Sequence, residues 1–286
     1  MKKLTLLLIL IANLAFAQNQ RFAYEYKFVS DSTKKENVDK EMMYLDITKD
    51  GSKFYSRAVF VSDSTMNAMF EKQIKTSGSM NVSINMGQSS GKVRFKVFKS
   101  YPDYKTYFIT QMGRDSYKVL DDRELVWKIL PDKETVGEFM AQKATTEMYG
   151  RKWTAWFTTD IPLQDGPYKF RGLPGLIVKI SDASNSHVFQ LKAVTKFKEE
   201  TVGVENVFGG DKAIAINEKQ YKKIYIENRN DPAKALKTMM GSGTTMSFRD
   251  ASGKEMSAAE MIRNREKSAK ENNLKNNNLL EIDLLK

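Results

Sequence analysis

The chain contains no cysteine and a single histidine among its 286 residues. Without cysteine there are no disulfides, no cysteine nucleophile and no thiolate metal site. One histidine, His187, is too few for a His-rich zinc site or for the HExxH motif of zinc proteases. A Ser-His-Asp triad would have to use His187. We therefore expect stability to come from burial and backbone hydrogen bonds, with no metal and no cofactor.

Long apolar runs are also missing, apart from one near the start. Residues 1–17 read MKKLTLLLILIANLAFA, with two lysines before the apolar run and a small-x-small pattern at the end. The run is roughly a dozen residues, whereas a spanning helix needs about 20. The segment is typical of a secretory signal peptide cleaved after Ala17. We expect a periplasmic or secreted protein with no transmembrane segment.

Acidic residues are fewer than basic ones, and the net charge is +11 at pH 7. Basic chains often bind nucleic acid, but export makes that partner a poor fit. In KVRFKVFK, from Lys92 to Lys99, the basic residues at 92, 94 and 96 alternate with apolar ones. A strand would place the two kinds on opposite faces. We predict an ordinary half-solvated surface and no nucleic-acid partner.

Apolar residues recur at every second position through much of the chain, which predicts strands. RFAYEYKFV, from Arg21 to Val29, carries four aromatic residues in this phase, and two further runs flank Asp50-Gly51. That dipeptide predicts a hairpin with a type I′ turn. More strand-like runs follow from Val93 to Phe157. Their short spacing favours antiparallel neighbours.

Helical spacing appears in three places. Residues Ser62 to Gly78 combine polar capping residues with apolar positions at helical intervals. A helical region at about 214–241 begins with Asn217 as a candidate cap, and residues 257–286 form a helical and polar tail. We predict a mainly β fold, an antiparallel curved sheet or open barrel with one inserted helix and C-terminal helices. Residues 18–256 form one globular domain in this interpretation.

Proline is scarce, yet two of the six prolines lie in GPYKFRGLPGLIVKI, from Gly166 to Ile180. In Leu173-Pro174-Gly175-Leu176, proline presets φ near −65° and glycine accepts the positive φ of a type II turn. Apolar residues at every second position follow and predict a strand. A second strand, starting at His187, would pair with it to form a hairpin. The stretch therefore sets how the chain enters a sheet.

The longer run GRKWTAWFTTDIPLQDGPYKFRGLPGLIVKISD resembles the GLPGLI family. The resemblance covers the signal peptide, the block from about Phe139 to Val194 and, more loosely, the helical region and the Asn-rich tail. It implies an exported protein of a kind found chiefly in the Bacteroidetes, and it implies no chemistry because the family has no established biochemical function. The naming hexapeptide stands here as Gly172, Leu173, Pro174, Gly175, Leu176 and Ile177.

Four side chains of this block are candidate ligand-binding residues, namely Arg151, Trp153, Trp156 and Arg171. Trp153 and Trp156 would lie on opposite faces of one strand. Such a strand is either covered on both faces or has one ring above a ligand pocket, and core packing is the simpler explanation. Arg171 could grip a carboxylate or a phosphate if it projects into such a pocket.

Acidic residues of the block allow a hydrolytic alternative. Asp160, Asp165 and Asp182 could include a carboxylate pair of the kind that hydrolyses glycosidic bonds. Each lies at a strand end or beside a turn, where Asp usually accepts local backbone amides. His187 has Ser184 nearby but also fits an edge histidine beside a loop. We assign no catalytic residue.

We therefore predict an exported envelope protein that is not an enzyme and that binds a partner protein, a peptide or a small hydrophobic ligand. One alternative is a hydrolase using carboxylates or a serine with His187. Another is a structural accessory to an outer-membrane complex. Converging Asp or Ser and His187 in a pocket would favour the enzyme, an apolar cavity the ligand binder, and an exposed apolar patch the accessory.

Overall fold

The computed structural model describes residues 19–65, 91–113, 115–197, 213–241, 248–249 and 255–286. Twelve strands form one open sheet, and strands account for 45% of the structure. The prediction of a mainly β fold is confirmed. The strands are β1 (Gln20–Phe28), β2 (Asp39–Ile47), β3 (Gly51–Ser56), β4 (Lys96–Ser100), β5 (Thr106–Met112), β6 (Asp115–Asp121), β7 (Lys128–Val136), β8 (Phe139–Met148), β9 (Arg151–Thr158), β10 (Leu176–Asp182), β11 (His187–Lys196) and β12 (Ile214–Asn217).

The sheet consists of two meanders joined by one strand pair. Its order is β12-β6-β5-β4-β3-β2-β1-β11-β10-β9-β8-β7. Each of β1 to β6 pairs with its sequence neighbour, and so does each of β7 to β11. The antiparallel pair of β1 with β11 joins the halves. Only β12, parallel to β6, departs from the antiparallel pattern among the described strands.

The core lies on one face of this sheet. The aromatic residues of β1 alternate with polar ones as predicted, and Phe22 and Tyr24 are 0% exposed. Tyr24 also donates its hydroxyl to the carbonyl of Ile177 at 2.8 Å, which ties β1 to β10. A buried tyrosine needs such a partner for its hydroxyl. Period two in the sequence thus identified the buried face correctly.

The hairpin around Asp50-Gly51 is present, but the predicted turn type is wrong. A type I′ turn needs positive φ at both central residues, and Asp50 is not among the residues with positive φ. The N–H of Thr48 instead donates to the carbonyl of Gly51 at 2.9 Å. A Cβ on Gly51 would lie 2.3 Å from the carbonyl oxygen of Lys99. Glycine is required there because β4 passes so close.

The type II turn predicted for Leu173 to Leu176 is also wrong. Positive φ occurs at Gly172, at 88°, and not at Gly175. The N–H of Gly175 donates to the carbonyl of Leu173 at 2.7 Å, which makes a three-residue turn about Pro174. A Cβ on Gly175 would lie 2.0 Å from the carbonyl oxygen of Thr158. One glycine therefore allows the backbone conformation, and the other allows close contact with β9.

The inserted helix, α1, occupies residues 57–65 and so begins before the predicted Ser62. The rest of the prediction, through Gly78, lies outside the described residues. Of the helices in the described ranges, none combines the length and apolar character needed to cross a membrane. The remaining elements are α2 (Glu218–Asn230), capped by Asn217 as predicted, α3 (Lys234–Gly241), the strand pair β13 (Phe248–Arg249) and β14 (Glu255–Met256), α4 (Ala258–Lys275) and a 3-10 helix (Ile282–Leu285).

Beyond α4 the chain returns to the sheet. We call residues 276–286 the strap. The N–H of Asn278 donates to the carbonyl of Ser30 at 3.1 Å, and the N–H of Ile282 donates to that of Tyr149 at 3.0 Å. The strap therefore crosses the end of β1 and the β8–β9 turn, where it meets the segment that carries the sequence motif.

Candidate functional site

The two tryptophans of β9 lie on opposite faces of the sheet, as predicted. Trp153 is 1% exposed, packs against Phe170 with ring centroids 4.8 Å apart, and donates Nε1–H to the carbonyl of Met148 at 3.0 Å. Trp156 is half-buried on the other face, with the ammonium of Lys143 5.9 Å from its ring centroid. Trp153 is thus a core residue, while Trp156 belongs to the outer face.

Arg151, the first residue of β9, faces the strap. Its guanidinium pairs with Asp182 at 3.0 Å and donates to Oδ1 of Asn278 at 2.6 Å. It also donates to the carbonyl of Leu279. The Arg151 side chain is 8% exposed. Its donors are occupied within the protein, so Arg151 anchors the strap.

His187 lies beside Arg151 and is 2% exposed. Nε2 lies 3.0 Å from the carbonyl oxygen of Asn278, and Nδ1 lies 2.7 Å from the hydroxyl of Tyr26. Nε2 also lies 3.2 Å from the guanidinium of Arg151, which can only donate, whereas the carbonyl of Asn278 can only accept. These two contacts of Nε2 therefore belong to different tautomers of the ring. Burial, and then the charge of Arg151, lower the pKa of His187 to about 4. The imidazole is therefore neutral at pH 7.

Asp182 has the local role expected of a turn aspartate and an ion pair as well. It accepts the backbone N–H of His187 at 2.8 Å and the hydroxyl of Ser184. The same carboxylate pairs with Arg151. Ser184 is thus directed at Asp182, whereas the His187 ring contacts Tyr26 and Asn278. The geometry of these residues does not assemble a serine–histidine pair.

A second polar cluster, which contains a fully buried ion pair, lies against the segment that precedes the hexapeptide Gly172–Ile177. Lys99 and Asp165 form an ion pair, and each side chain is 0% exposed. Lys99 also donates to the carbonyl of Gly166 at 2.7 Å. Asp165 accepts the hydroxyls of Ser52 at 2.6 Å and Tyr101 at 2.5 Å. Burial lowers the pKa of Lys99, and the charge of Asp165 opposes that effect. The cluster fixes the segment that follows Asp165 against β4.

A third cluster surrounds Lys169, which is 1% exposed. Its ammonium pairs with Asp121 at 2.7 Å and with Glu281 of the strap. Arg123 bridges the same two carboxylates, at 2.6 Å and 2.9 Å. Lys169 also lies 4.6 Å from the ring centroid of Phe108. Two cations and two carboxylates thus join three parts of the chain: the end of β6, the stretch from Gly166 to Ile180, and the strap.

Glu218, at the start of α2, lies at the edge of this third cluster. Its Oε1 is 3.4 Å from Arg123, while Oε2 is buried without a hydrogen-bond partner among the described residues. Burial, and then the charge of Glu281, raise the pKa of Glu218 to about 7. Glu218 therefore titrates near neutral pH.

Arg171 is the predicted site residue that retains open donors. It is half-buried, and Nε donates to the hydroxyl of Thr106 at 3.1 Å. Its two terminal nitrogens have no hydrogen-bond or ion-pair partner among the residues that the structure describes. At the next residue, Gly172, no atom lies within 4 Å of where a Cβ would stand. Thr106 therefore orients the guanidinium through Nε, while its two terminal nitrogens keep unpaired N–H donors within the described part of the chain.

Hydrogen bonds link Arg171 to nearby aromatic residues. The Thr106 hydroxyl donates onward to the carbonyl of Tyr104 at 3.1 Å, and Trp127 Nε1 donates to the carbonyl of Arg171 at 2.8 Å. The rings of Tyr101 and Tyr104 lie 4.7 Å apart, and both residues are half-buried. Tyr104 has a φ of 51°, an uncommon conformation for a bulky residue. We call these five residues the Arg171 site.

The four predicted ligand-binding residues do not form one site. Arg151 contacts the strap, Trp153 lies in the core, Trp156 lies on the outer face, and Arg171 contacts Thr106. A separate pocket between α1, β3 and β4 is lined by none of them. Within the described ranges, no group of three or more His, Asp or Glu is placed to hold a metal ion.

The sequence did not lead us to predict that Lys99 and Lys169 are buried, although the alternating pattern around Lys99 indicated it. Lys99 shares its period-two phase with Val97, which places it on the buried face of β4. A charge in that phase needs a buried partner. Lys169 lies between Tyr168 and Phe170 in an irregular segment, where no period exists to reveal its burial. Its partners Asp121 and Glu281 come from distant parts of the chain.

Comparison with known proteins gives a partial match. A family model described as "Protein of unknown function (Porph_ging)" matches residues 141–179, which include the hexapeptide from Gly172 to Ile177. The match supports similarity to a Bacteroidetes-associated family of unknown function but does not carry the GLPGLI name. No curated protein matches the chain.

Two solved structures resemble part of the fold. They are titled "Structure of PNGF-II in P21 space group" and "Structure of PNGF-II in C2 space group", with 13% and 14% sequence identity and TM-scores of 0.49 and 0.48. Each match covers 74% of this chain and 34% of the other. The chain thus spans about a third of the length of those structures. A similarity this weak supports no statement about activity.

Proposed function

We propose that this protein is an exported, non-enzymatic binding protein whose ligand or partner presents a carboxylate or phosphate group to Arg171. One observation carries the proposal. Thr106 orients the guanidinium of Arg171. The two terminal nitrogens of that guanidinium lack partners among the described residues. Such a planar pair of N–H donors matches a carboxylate or phosphate with two parallel hydrogen bonds.

The aromatic residues of the Arg171 site favour a ligand with an apolar part. Tyr101, Tyr104 and Trp127 are half-buried, so each keeps some exposed surface within the Arg171 site. Ligand sites commonly combine such surface with a few oriented polar groups. A partner protein, a peptide or a small hydrophobic ligand carrying an acidic group fits this combination.

The surroundings of His187 favour binding over the hydrolase alternative. Its ring is neutral and bonded on both nitrogens, to Tyr26 and to Asn278. Ser184 and Asp182 bond to each other. These contacts support a structural role for the cluster in holding the strap.

The binding part of the proposal is tested with matched probes. The mature protein is titrated calorimetrically with N-acetylphenylalanine, phenyl phosphate and the uncharged N-acetylphenylalanine amide. We expect at least one acidic probe to bind more tightly than the amide. Arg171→Gln should weaken that probe about tenfold or more, since hydrogen bonds to charged groups contribute about 1.5–3 kcal/mol.

The matched control is Arg57→Gln, which removes an exposed arginine at the start of α1. Its affinity for the acidic probes should equal that of the wild type. Equal losses in both variants, or no preference for acid over amide, would overturn the proposal. Export is tested separately by the intact mass of protein taken from the cell envelope, which should lack residues 1–17.

A further inference from the structure

The part of the protein that precedes α4, which we call the body, contains a pocket specific for Asn278 of the strap. Asn278 is 6% exposed. Its N–H donates to Ser30 at 3.1 Å and its amide nitrogen to Val29 at 2.7 Å, while its amide oxygen accepts from Arg151 at 2.6 Å. Its carbonyl oxygen lies 3.0 Å from Nε2 of His187. A side-chain amide with donor and acceptor both matched is recognised as asparagine.

A second pocket lies three residues further along the strap. Glu281 is 4% exposed and accepts from Tyr168, Lys169 and Arg123. Such a buried carboxylate is stable only where its partners are in place. Directly after Glu281, the side chain of Ile282 would lie 2.9 Å from a Cβ on Gly150, so the strap lies directly against the β8–β9 turn.

These two pockets and the adjoining β8–β9 turn form a groove, which we call the strap groove. It is lined by Arg123, Tyr149, Arg151, Lys169 and His187. Three of these five residues fall within the segment 141–179 matched by the family model. The groove contributes the cations Arg123, Arg151 and Lys169 together with the carboxylates Asp121 and Asp182. The strap adds the carboxylates of Glu281 and Asp283, both of which pair with Arg123. Strap and groove are therefore complementary in charge and in hydrogen bonding.

Helix α4, which precedes the strap, is held far more weakly. It has no buried residue. Its ion pair with α3, between Lys237 and Glu266 at 2.8 Å, joins side chains that are 43% and 37% exposed. Arg265 donates to the carbonyl of Pro232 at 3.2 Å, also at the surface. Exposed pairs contribute about 0–1 kcal/mol each. In the last turn of α4, Asn273 forms two part-buried hydrogen bonds with Arg229 of α2, at 2.8 Å and 3.2 Å. The anchoring of this part of the chain therefore resides in the strap and the last turn of α4.

We propose that the strap exchanges between two copies of this chain, so that the strap groove is an intermolecular peptide-binding site. In the exchanged dimer, each groove receives the same residues 276–286 from its partner, and every strap contact is retained. The contacts that are lost are the exposed ones in the earlier turns of α4. Exchange of an identical element is a low-cost route to dimers. This inference is independent of the ligand proposed for Arg171.

Helix α4 is long enough to serve as the tether. Its 18 residues span about 27 Å at 1.5 Å per residue, comparable to the width of a small domain. Within one chain, the tether keeps the strap at a high effective concentration, so the closed monomer predominates in dilute solution. The exchanged dimer gains population as the protein concentration rises.

The absence of cysteine allows a clean test by disulfide trapping. The backbone N–H of Ser32, in the body, donates to Asn277 of the strap at 2.8 Å in an exposed contact. Ser32→Cys and Asn277→Cys are placed in separate full-length chains, one of which carries a mass tag. The chains are mixed at increasing concentration, incubated and gently oxidised. We expect a disulfide-linked heterodimer that increases with concentration and whose peptide map joins positions 32 and 277.

The control pairs Asn277→Cys with Lys196→Cys, an exposed position at the opposite end of β11 from His187. Strap exchange should give the first pair about a tenfold excess of heterodimer over this control, because docking raises the local thiol concentration. Equal amounts from both pairs would overturn the proposal. So would a chain carrying both Ser32→Cys and Asn277→Cys that closes only on itself at every concentration.

Discussion

At the scale of single residues, the structure depends on charges buried beneath its motif. Lys99 and Asp165 are both 0% exposed, and each is the other's counterion. Taking one ion away leaves the other charge buried, whereas replacing both removes the charge altogether. The pair therefore behaves as a unit, and the two kinds of substitution have different consequences.

Lys99→Met should destabilise the protein by about 3–5 kcal/mol, because Asp165 would lose its buried counterion. The double variant Lys99→Met with Asp165→Asn should be more stable than Lys99→Met alone. Urea unfolding at pH 7 measures the free energy of unfolding of the single and the double variant. Lys105→Met is the control, since its pair with Asp103 is exposed, and it should lose less than about 1 kcal/mol. A Lys99→Met variant as stable as this control would contradict the assignment.

Glu218 should make stability fall as the pH rises. Its folded-state pKa is raised to about 7 from an ordinary 4.5. Between these values the folded state holds a proton that the unfolded state has released, so the free energy of unfolding decreases with rising pH. Glu218→Gln should therefore gain stability relative to the wild type from pH 4.5 to 7, with no further gain above.

Melting curves across this pH range test the effect of Glu218. The control is Glu227→Gln, an exposed position on the same helix, which removes a carboxylate away from the third cluster. A difference between Glu218→Gln and the wild type that is constant from pH 4.5 to 8 would show that Glu218 is not the responsible group.

At the scale of elements, the sequence predicted strands and hairpins better than the turns within them. The alternation in β1 and the runs around Asp50-Gly51 depend on local sequence, and both were found. The turn types were wrong because distant contacts decide them. Gly51 is needed against Lys99 of β4, and Gly175 against Thr158 of β9. Local sequence patterns cannot predict that a distant strand will lie so close to a glycine.

The two glycines of the GLPGLI turn should respond differently to alanine. Gly175→Ala places a Cβ 2.0 Å from the carbonyl oxygen of Thr158, so β9 and β10 must separate, at a cost of about 2–4 kcal/mol. Gly172→Ala meets no atom within 4 Å and bears only the strain of a positive φ, about 1–2 kcal/mol. Denaturant unfolding of both variants should give that order, and the reverse order would contradict this description of the turn.

At the scale of the whole molecule, the candidate site was only partly predictable. Arg171 was identified from the resemblance to a family and from its residue type. The strap was not, because its Asn-rich sequence has no periodicity and its burial depends on Arg151 and Lys169, more than 100 residues away. The β1–β11 pair that joins the meanders is equally distant in sequence. Contacts of this kind emerge only from the complete fold.

Amide hydrogen exchange should show that the strap is more stable than the helix that carries it. The amides of Asn278 and Ile282 bond to the body of the protein, whereas α4 buries no residue. Local opening of α4 should therefore cost less free energy than release of the strap. We expect slow exchange at Asn278 and Ile282 and faster exchange throughout the middle of α4.

A variant in the strap tests whether its slow amide exchange depends on the contacts of Glu281. Glu281→Gln removes the charge that Lys169 and Arg123 hold, so exchange at Asn278 and Ile282 should accelerate at least tenfold, since weakening a buried ion pair costs more than 1.4 kcal/mol. Exchange in β1 should remain unchanged, because its ladder does not involve Glu281. Equal protection of α4 and the strap in the wild type would mean that the helix is anchored in its own right, and the tether assigned to it would be lost.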